Sequence, residues 1–287
     1  MYKIIFSFFF CLTLTSTVFA QKEEGKKKKN KKTITADPNA KLIKPTDVAF
    51  DEKSGLFYIS SPGNHGIIKR GRRGGAVFAV KDLLHPRGLT TYGGILYVAD
   101  SNRVVGYQLK TSKKVFEENI DGANALHSIA CDGSHLFVSD KSVSKIFKIT
   151  IKSKKQEILT ADIVNPTGLY YDKKLREILI LSSQESGGGV YTYNLRNKEI
   201  ELRLTVDEFP YLEDITFNES MSYYITAWGA DHKENVIIKI NSSLKREARV
   251  IQSSTDGPSG LLYIKRTNEL AIASEYSNNL NIIKLGY

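Results

Sequence analysis

Residues 86–100 read PRGLTTYGGILYVAD, a Pro-x-Gly turn followed by two short apolar runs with Gly93-Gly94 between them. Apolar, β-branched and aromatic runs bounded by turn residues predict paired β-strands. Related turns open six such units, and their third residues fall at positions 47, 88, 128, 168, 214 and 260. The spacing of 40 to 46 residues is that of the blades of a β-propeller.

Each unit contains three or four short apolar runs, and each run predicts one strand. The second run is the most alike between units and recurs at residues 56–60, 95–100, 136–140, 178–182, 223–227 and 270–274. A fourth run is present in five units, whereas the last unit ends after its third. Residues Thr35-Ala36-Asp37 repeat Thr160-Ala161-Asp162, which ends a predicted outer strand. The sequence therefore predicts an all-β, six-bladed β-propeller over residues 32–287, with four antiparallel strands per blade and a strand at residues 32–37 that completes the last blade.

Residues 1–20 have the layout of a secretory signal peptide. Lys3 precedes a Phe-rich apolar stretch, and Val18-Phe19-Ala20 supplies small residues for cleavage. A membrane anchor is disfavoured because Thr13, Thr15, Ser16 and Thr17 interrupt the apolar run, whereas a spanning helix needs about 20 mostly apolar residues. We expect an exported protein that is periplasmic or extracellular. In a eukaryotic source, Asn218 and Asn241 would be candidate glycan acceptors.

A Lys-rich stretch follows, and residues 21–31 are expected to form a flexible linker. Residues 21–32 contain seven Lys and two Glu, so they supply much of the net charge of +10. The run from Lys26 to Lys32 could contact an anionic surface, although a plain spacer is the favoured interpretation. Because little excess charge remains for the propeller, the sequence does not indicate binding to nucleic acid.

The composition of the 287-residue chain is that of a folded protein, with 41% hydrophobic and 25% charged residues. Two cysteines exclude a disulfide scaffold and a four-cysteine zinc site. Cys11 would leave with the signal peptide, so Cys131 would remain alone and the domain would depend on packing for its stability.

The Pro-x-Gly turns, the LYVAD-type second strand and the apolar third strand resemble NHL-repeat propellers and the related gluconolactonase family of regucalcin type. The resemblance covers residues 32–287. It implies a divalent metal ion, Ca²⁺ or Zn²⁺, held by Glu, Asn and Asp at the opening turns. This chain departs from that pattern, because only Glu213 keeps a carboxylate at the second position of a turn, with Asp214 and Asp47 one residue later. Arg87 places a positive charge where the cation would bind, so a metal site is disfavoured.

The second residues of the turns are expected to surround one end of the central channel, and we call them the mouth ring: Thr46, Arg87, His127, Thr167, Glu213 and Ser259. Arg87 could pair with Glu213 or hold a carboxylate or phosphate. His127 and Ser128 are adjacent on one strand and would face opposite ways, which disfavours a nucleophile and base pair. Asp100 and Asp140 are interpreted as turn caps.

Trp228 and Tyr276 lie in loops predicted on the same face. They could stack on a sugar or a peptide side chain, or Trp228 could pack between the last two blades. The predicted binding residues are therefore Arg87, His127, Glu213, Trp228 and Tyr276.

Three functional interpretations remain open. The first is an exported module that binds a small anionic or sugar-like ligand, or a protein partner, through the mouth face. The second is a metal-dependent hydrolase resembling gluconolactonases, with a rebuilt site of Glu213, Asp214 and Asp47. The third is a structural surface protein held by its Lys-rich segment.

Overall fold

The computed structural model describes residues 36–73, 75–218, 222–241, 243, 249–254 and 256–286. Within these ranges 23 strands form six sheets, which confirms the predicted all-β, six-bladed propeller. The predicted signal peptide and Lys-rich linker lie outside the described residues. In the described ranges, no helix is long and apolar enough to cross a membrane.

The blades follow one another along the chain. Blade one contains β1 (Asp47–Asp51), β2 (Leu56–Ser61), β3 (Gly66–Arg70) and β4 (Ala76–Val80). Blade two contains β5 (Pro86–Tyr92), β6 (Ile95–Asp100), β7 (Arg103–Gln108) and β8 (Lys114–Asn119). Blade three contains β9 (Leu126–Cys131), β10 (His135–Asp140), β11 (Lys145–Thr150) and β12 (Gln156–Thr160).

The second half of the ring repeats this order. Blade four contains β13 (Pro166–Asp172), β14 (Glu177–Ser182), β15 (Gly188–Asn194) and β16 (Ile200–Val206). Blade five contains β17 (Tyr211–Asn218), β18 (Ser222–Trp228), β19 (Asn235–Asn241) and β20 (Arg249–Ser254). Blade six contains β21 (Pro258–Ile264), β22 (Glu269–Ser274) and β23 (Asn279–Lys284).

Consecutive strands of a blade pair antiparallel through short turns. The turn between β5 and β6 shows why the sequence folds this way: Tyr92 pairs with Ile95 across Gly93 and Gly94, whose φ angles are 59° and 80°. Two consecutive residues with positive φ match the twist of a two-residue hairpin, and glycine adopts this conformation without steric cost.

Blade six has three strands in the described residues. Most of the strand predicted to complete it, residues 32–35, lies outside those residues. Of the remainder, the N–H of Asp37 donates to the carbonyl of Ala76 in β4 at 2.9 Å. The described end of the predicted segment therefore contacts blade one, and the closing strand stays a prediction.

The hydrophobic core lies between neighbouring blades. Between blades two and three, for example, Ala99 and Val104 pack against Leu126 and Val138, and all four are fully buried. Each inner and middle strand is thus covered on both faces, which explains the nearly continuous apolar runs in the sequence.

One level of the channel alternates between polar residues and glycine. We call it the waist ring, and it comprises the third residues of the opening turns: Asp47, Gly88, Ser128, Gly168, Asp214 and Gly260. Each polar member accepts a backbone N–H from the following blade: Asp47 from Leu89 at 2.6 Å, Ser128 from Leu169 at 3.2 Å, and Asp214 from Leu261 at 2.7 Å.

The glycines allow close approach at the other three interfaces, from blade two to three, four to five and six to one. A Cβ on Gly260 would lie 2.3 Å from the Cα of Asp47, and one on Gly88 would lie 2.7 Å from the Cα of Ser128. Hydroxyls on the second strands add a matching contact, because Ser60, Ser139 and Thr226 each donate to a backbone carbonyl of the next blade. These contacts join blade one to two, three to four, and five to six.

The two possible glycan acceptors differ in the folded protein. Asn218 is buried, its side-chain amide donates to the hydroxyl of Tyr224, and its carbonyl accepts the N–H of Ser222. Asn241 is exposed. A glycan on Asn218 would therefore require the local strand pairing to open.

Candidate functional site

The first strand of every blade lines the channel, so the opening turns surround one end of it as predicted. The mouth ring and the waist ring together line a narrow neck of about 10 Å³. Above the neck the channel widens into a pocket of about 430 Å³ over blades two and three, which we call the mouth pocket. The waist ring also borders a separate space of about 210 Å³ on the other side.

Three of the five predicted binding residues meet at the neck. The Nη2 of Arg87 lies 3.0 Å from the Nε2 of His127, and that same ring nitrogen lies 3.3 Å from Oε2 of Glu213. Arg87 and Glu213 are farther apart, with 4.0 Å between Nη2 and Oε2. His127 therefore lies between a cation and a carboxylate and contacts both through one atom.

Two buried polar atoms of this group have no hydrogen-bond partner in the described part of the chain: Nε of Arg87 and Nδ1 of His127. A buried donor or acceptor without a partner costs about 1 to 3 kcal/mol. Unsatisfied atoms are otherwise rare in folded proteins, and they point to a function or to a missing partner molecule.

The charges at the neck follow from burial and from these contacts. Burial lowers the pKa of His127, and the neighbouring charge of Arg87 lowers it further against the effect of Glu213. Burial raises the pKa of Glu213, but the hydrogen bond from His127 and the charges of His127, Arg87 and Lys141 outweigh it and bring the pKa to about 2. Arg87 and Lys141 keep Glu213 ionised in either state of the ring, and a protonated His127 adds to their effect, whereas burial and Arg87 favour the neutral form of His127.

Lys141 is a site residue that the sequence analysis missed. It follows Asp140 at the end of β10, and it lines the mouth pocket with Arg87, His127 and Glu213. The rest of the lining comes from His85, Ser101, Ala125, Leu126 and Ser142. The pocket thus has two cations, one carboxylate, hydroxyls and a small apolar wall. The only sequence signal was the position of Lys141 in the loop after a second strand.

Glu275 lies in the loop after β22, which the repeat predicts on this face. Burial raises its pKa, while the charge of Arg87 lowers it and that of Glu213 raises it. It precedes Tyr276, so this loop of blade six borders the mouth near the Arg87 and Glu213 pair.

The candidate metal ligands Asp47 and Asp214 line the neck, but their carboxyl groups already accept hydrogen bonds from the backbone. Asp47 accepts the N–H groups of Val48 and Leu89, and Asp214 accepts those of Ile215 and Leu261. Burial raises the pKa of Asp47 to about 7, and burial together with the charge of Asp47 raises the pKa of Asp214. In the described ranges no group of three or more His, Cys, Asp or Glu side chains is arranged to hold a metal ion. With Arg87 beside Glu213, these residues do not fit the metal that the family resemblance implies.

Trp228 and Tyr276 form a separate aromatic group at blades five and six. Their ring centroids are 5.2 Å apart, and the indole N–H donates to the carbonyl of Pro258 at 2.6 Å. His232 packs edge-on against Trp228 and stacks on Tyr211 at 4.6 Å. Trp228 thus joins two blades, whereas Tyr276 remains 51% exposed.

The two aspartates that end second strands act in the fold. Asp140 accepts the N–H and hydroxyl of Ser142 and also the N–H groups of Asn124 and Ala125. Asp100 instead accepts the N–H of His85 and pairs with Arg103. Asp140 is the predicted turn cap, while Asp100 ties its blade to the preceding crossover.

Ser128 does not act with His127. Its hydroxyl accepts the N–H of Leu169 at the waist, whereas His127 contacts Arg87 and Glu213 at the mouth. The expectation that the two side chains face different ways is confirmed.

By sequence, the chain matches no known family and no curated protein. Its fold does match solved structures. A protein of unknown function from Bacteroides thetaiotaomicron superposes with a TM-score of 0.72 at 11% identity, over 85% of this chain and 70% of that one. A structural-genomics protein described as a gluconolactonase candidate gives a TM-score of 0.64 at 13% identity, over 88% and 96% of the two chains.

Virginiamycin B lyase from Staphylococcus aureus is also similar, with a TM-score of 0.62 at 16% identity over 87% of this chain and 82% of that one. At such identities the likeness shows the fold and not the chemistry. The resemblance to gluconolactonase-like propellers is therefore confirmed for the fold, and the regucalcin type is not tested.

Proposed function

We propose that this propeller binds a small anionic ligand in the mouth pocket. The observation that carries the proposal is Arg87: its guanidinium lines the pocket, and its buried Nε has no partner among the described residues. A guanidinium presents a fixed fork of donors that matches a carboxylate, sulfate or phosphate.

Lys141 supports the same chemistry. With Arg87 it gives the pocket lining two positive charges against the single negative charge of Glu213. Ser101 and Ser142 add hydroxyls, and Leu126 adds an apolar surface for the rest of the ligand. The volume of about 430 Å³ is in the range of small-molecule sites.

The test is calorimetric titration of the folded protein with sulfate, phosphate, acetate and citrate. We expect saturable binding of at least one anion, and Arg87→Gln should weaken it at least tenfold because a charged hydrogen bond is lost. Lys141→Gln should weaken it less. The matched control is Lys152→Gln, an exposed lysine in the turn between β11 and β12 at the opposite end of the blade.

Equal loss in the Lys152→Gln control would mean that anions bind through general charge, and the proposal would be wrong. The same titration with Ca²⁺, Zn²⁺ and Mg²⁺ tests the metal-dependent hydrolase. A one-to-one metal site abolished by Glu213→Ala would favour that enzyme instead.

We also propose that the chain is exported and that its Lys-rich segment contacts an anionic surface. The support is the order of Lys3, the apolar stretch and Ala20, followed by the run from Lys26 to Lys32. Mass spectrometry of the protein from its native source should find Gln21 at the N-terminus. Detection of the intact Met1 end in the cytoplasm would overturn this proposal.

A further inference from the structure

At the neck, the Nε2 of His127 contacts both a hydrogen-bond donor and a hydrogen-bond acceptor. The Nε2 of His127 lies 3.0 Å from the donor Nη2 of Arg87 and 3.3 Å from the acceptor Oε2 of Glu213. A neutral ring that accepts from Arg87 turns a lone pair toward the carboxylate. A ring that donates to Glu213 turns a hydrogen toward the guanidinium. Each state of His127 thus satisfies one neighbour at the expense of the other.

Arg87 is the member of this group with the most freedom to move. Its side chain is 26% exposed, against 12% for His127 and 12% for Glu213. Its Nη2 is already 4.0 Å from Glu213, and it faces the mouth pocket, where an anion would attract it. If Arg87 pairs with a ligand, His127 loses the contact that favours its neutral form and keeps the one that favours its charged form.

The net charge of the pocket lining indicates which ligand charge binds best when His127 is protonated. With neutral His127, the charges of Arg87, Lys141 and Glu213 leave the lining with one net positive charge. With protonated His127 the net charge is two, and the unpartnered Nδ1 becomes a second donating N–H. A dianion therefore matches the protonated site, and a monoanion matches the neutral one.

Resting on the proposed function, we propose that the mouth pocket binds dianions of the sulfate and phosphate-monoester class, and that His127 takes up one proton when it does so. His127 then donates Nε2–H to Glu213, while Arg87 and Lys141 hold the ligand. The ligand adds negative charge next to His127, which favours its charged form. Titratable or charged groups also lie close by on other elements: His85, Asp47, Asp214 and Glu275.

The experiment is calorimetric titration with sulfate between pH 5 and pH 8, in buffers that differ in heat of ionisation. Sulfate keeps its double charge over this range, so any pH dependence belongs to the protein. At the alkaline end we expect uptake of about one proton per sulfate, with affinity falling up to tenfold per pH unit. His127→Gln should bind sulfate with a shallower pH profile and most of the proton uptake lost, the remainder coming from Asp47.

Two variants make the result specific. His85→Gln removes another histidine of the same pocket and should keep the proton uptake. Glu213→Gln removes the partner of the protonated ring and should reduce the uptake even if His127→Gln fails to fold. Uptake lost in His85→Gln, or sulfate binding without any uptake, would overturn this inference and leave the proposed function standing. Failure of every anion to bind the wild-type protein would overturn both.

Discussion

The mouth ring and the waist ring are one residue apart on the same six strands, yet their polar atoms are used differently. At the waist, Asp47, Ser128 and Asp214 all bond to backbone of the following blade. At the mouth, Arg87 and His127 each keep a buried atom without a partner among the described residues. These waist residues thus hold blades together, while Arg87 and His127 at the mouth keep unsatisfied groups, which supports the proposed ligand site.

The difference comes from side-chain size. Glycine alternates with short polar residues at the waist, so the inner strands approach closely and the channel narrows to the neck of about 10 Å³. At the mouth, Arg87, His127 and Glu213 are long enough to reach across the channel to one another. A ring one residue farther along the strands can therefore have a different role in the same fold.

The largest effect is expected from Gly260→Ala at the waist. The new Cβ would lie 2.3 Å from the Cα of Asp47, and a backbone atom cannot move aside as a flexible side chain can. The free energy of unfolding should fall by about 3 to 5 kcal/mol, or the protein should fail to fold. Denaturant unfolding measures this.

The control is Gly286→Ala, where nothing lies within 4 Å of the added methyl group. It should change stability by less than about 0.5 kcal/mol. Similar losses in both variants would show that close approach of the blades at the waist is not what glycine provides.

A smaller loss is expected from Ser139→Ala. The hydroxyl of Ser139 donates to the carbonyl of Thr167 at 2.6 Å and accepts the N–H of Ser128 at 3.0 Å, and all three residues are buried. Two backbone groups would lose this partner, at a cost of about 2 kcal/mol. Ser101→Ala in the mouth pocket should leave thermal stability nearly unchanged, and an equal cost there would contradict the contrast between contacts that join blades and residues that line the pocket.

The third prediction concerns pH. Since burial raises the pKa of Asp47 from 3.8 to about 7, the folded protein holds a proton that the unfolded chain has released. Stability from this group is therefore fully present below the unfolded pKa of 3.8 and is lost progressively as pH rises to about 7. Asp47→Ser should keep the bond to Leu89, as Ser128 keeps its bond to Leu169, without this decline.

The measurement is the unfolding free energy of wild type and Asp47→Ser at pH 5 and pH 8. The wild type should lose about 2 to 3 kcal/mol more than the variant between these values, because the folded pKa of Asp47 lies about two pH units above pH 5. Parallel curves for the two proteins would show that the waist carboxyls do not resist ionisation.

The smallest effect on stability is expected from Lys141→Gln at the mouth. Lys141 is half-buried and lines the pocket, so its loss should change the unfolding free energy by less than about 0.5 kcal/mol. Anion affinity should fall in the same variant. A stability loss comparable to that of Ser139→Ala would assign Lys141 to the fold and not to the site.

The fold was predictable because each blade repeats local signals. Turn residues such as Gly93-Gly94 and apolar runs such as 95–100 act within a few residues of one another, and all six copies agree. The alternation of glycine with polar residues at the third turn position was also visible in the sequence. The structural role of this alternation could not be predicted, because the contacts of these residues join different blades.

The site was predictable only in part. The position of Arg87, His127 and Glu213 at one end of the channel follows from the repeat. The shared Nε2 contact does not, because it joins blades two, three and five across the channel and depends on side-chain reach. Lys141 gave no distinct signal, since charged residues are common in the loops after second strands.

The waist contacts also limit how the number of blades in this propeller could change. Because odd blades supply the polar groups and even blades the glycines, the building block of this molecule is a pair of blades, and the inner ring has approximate threefold symmetry. Removing one blade would bring together two polar neighbours or two glycines, which gives either a clash or a gap. Gene duplication or protein engineering should therefore tolerate the gain or loss of two blades together far better than that of one.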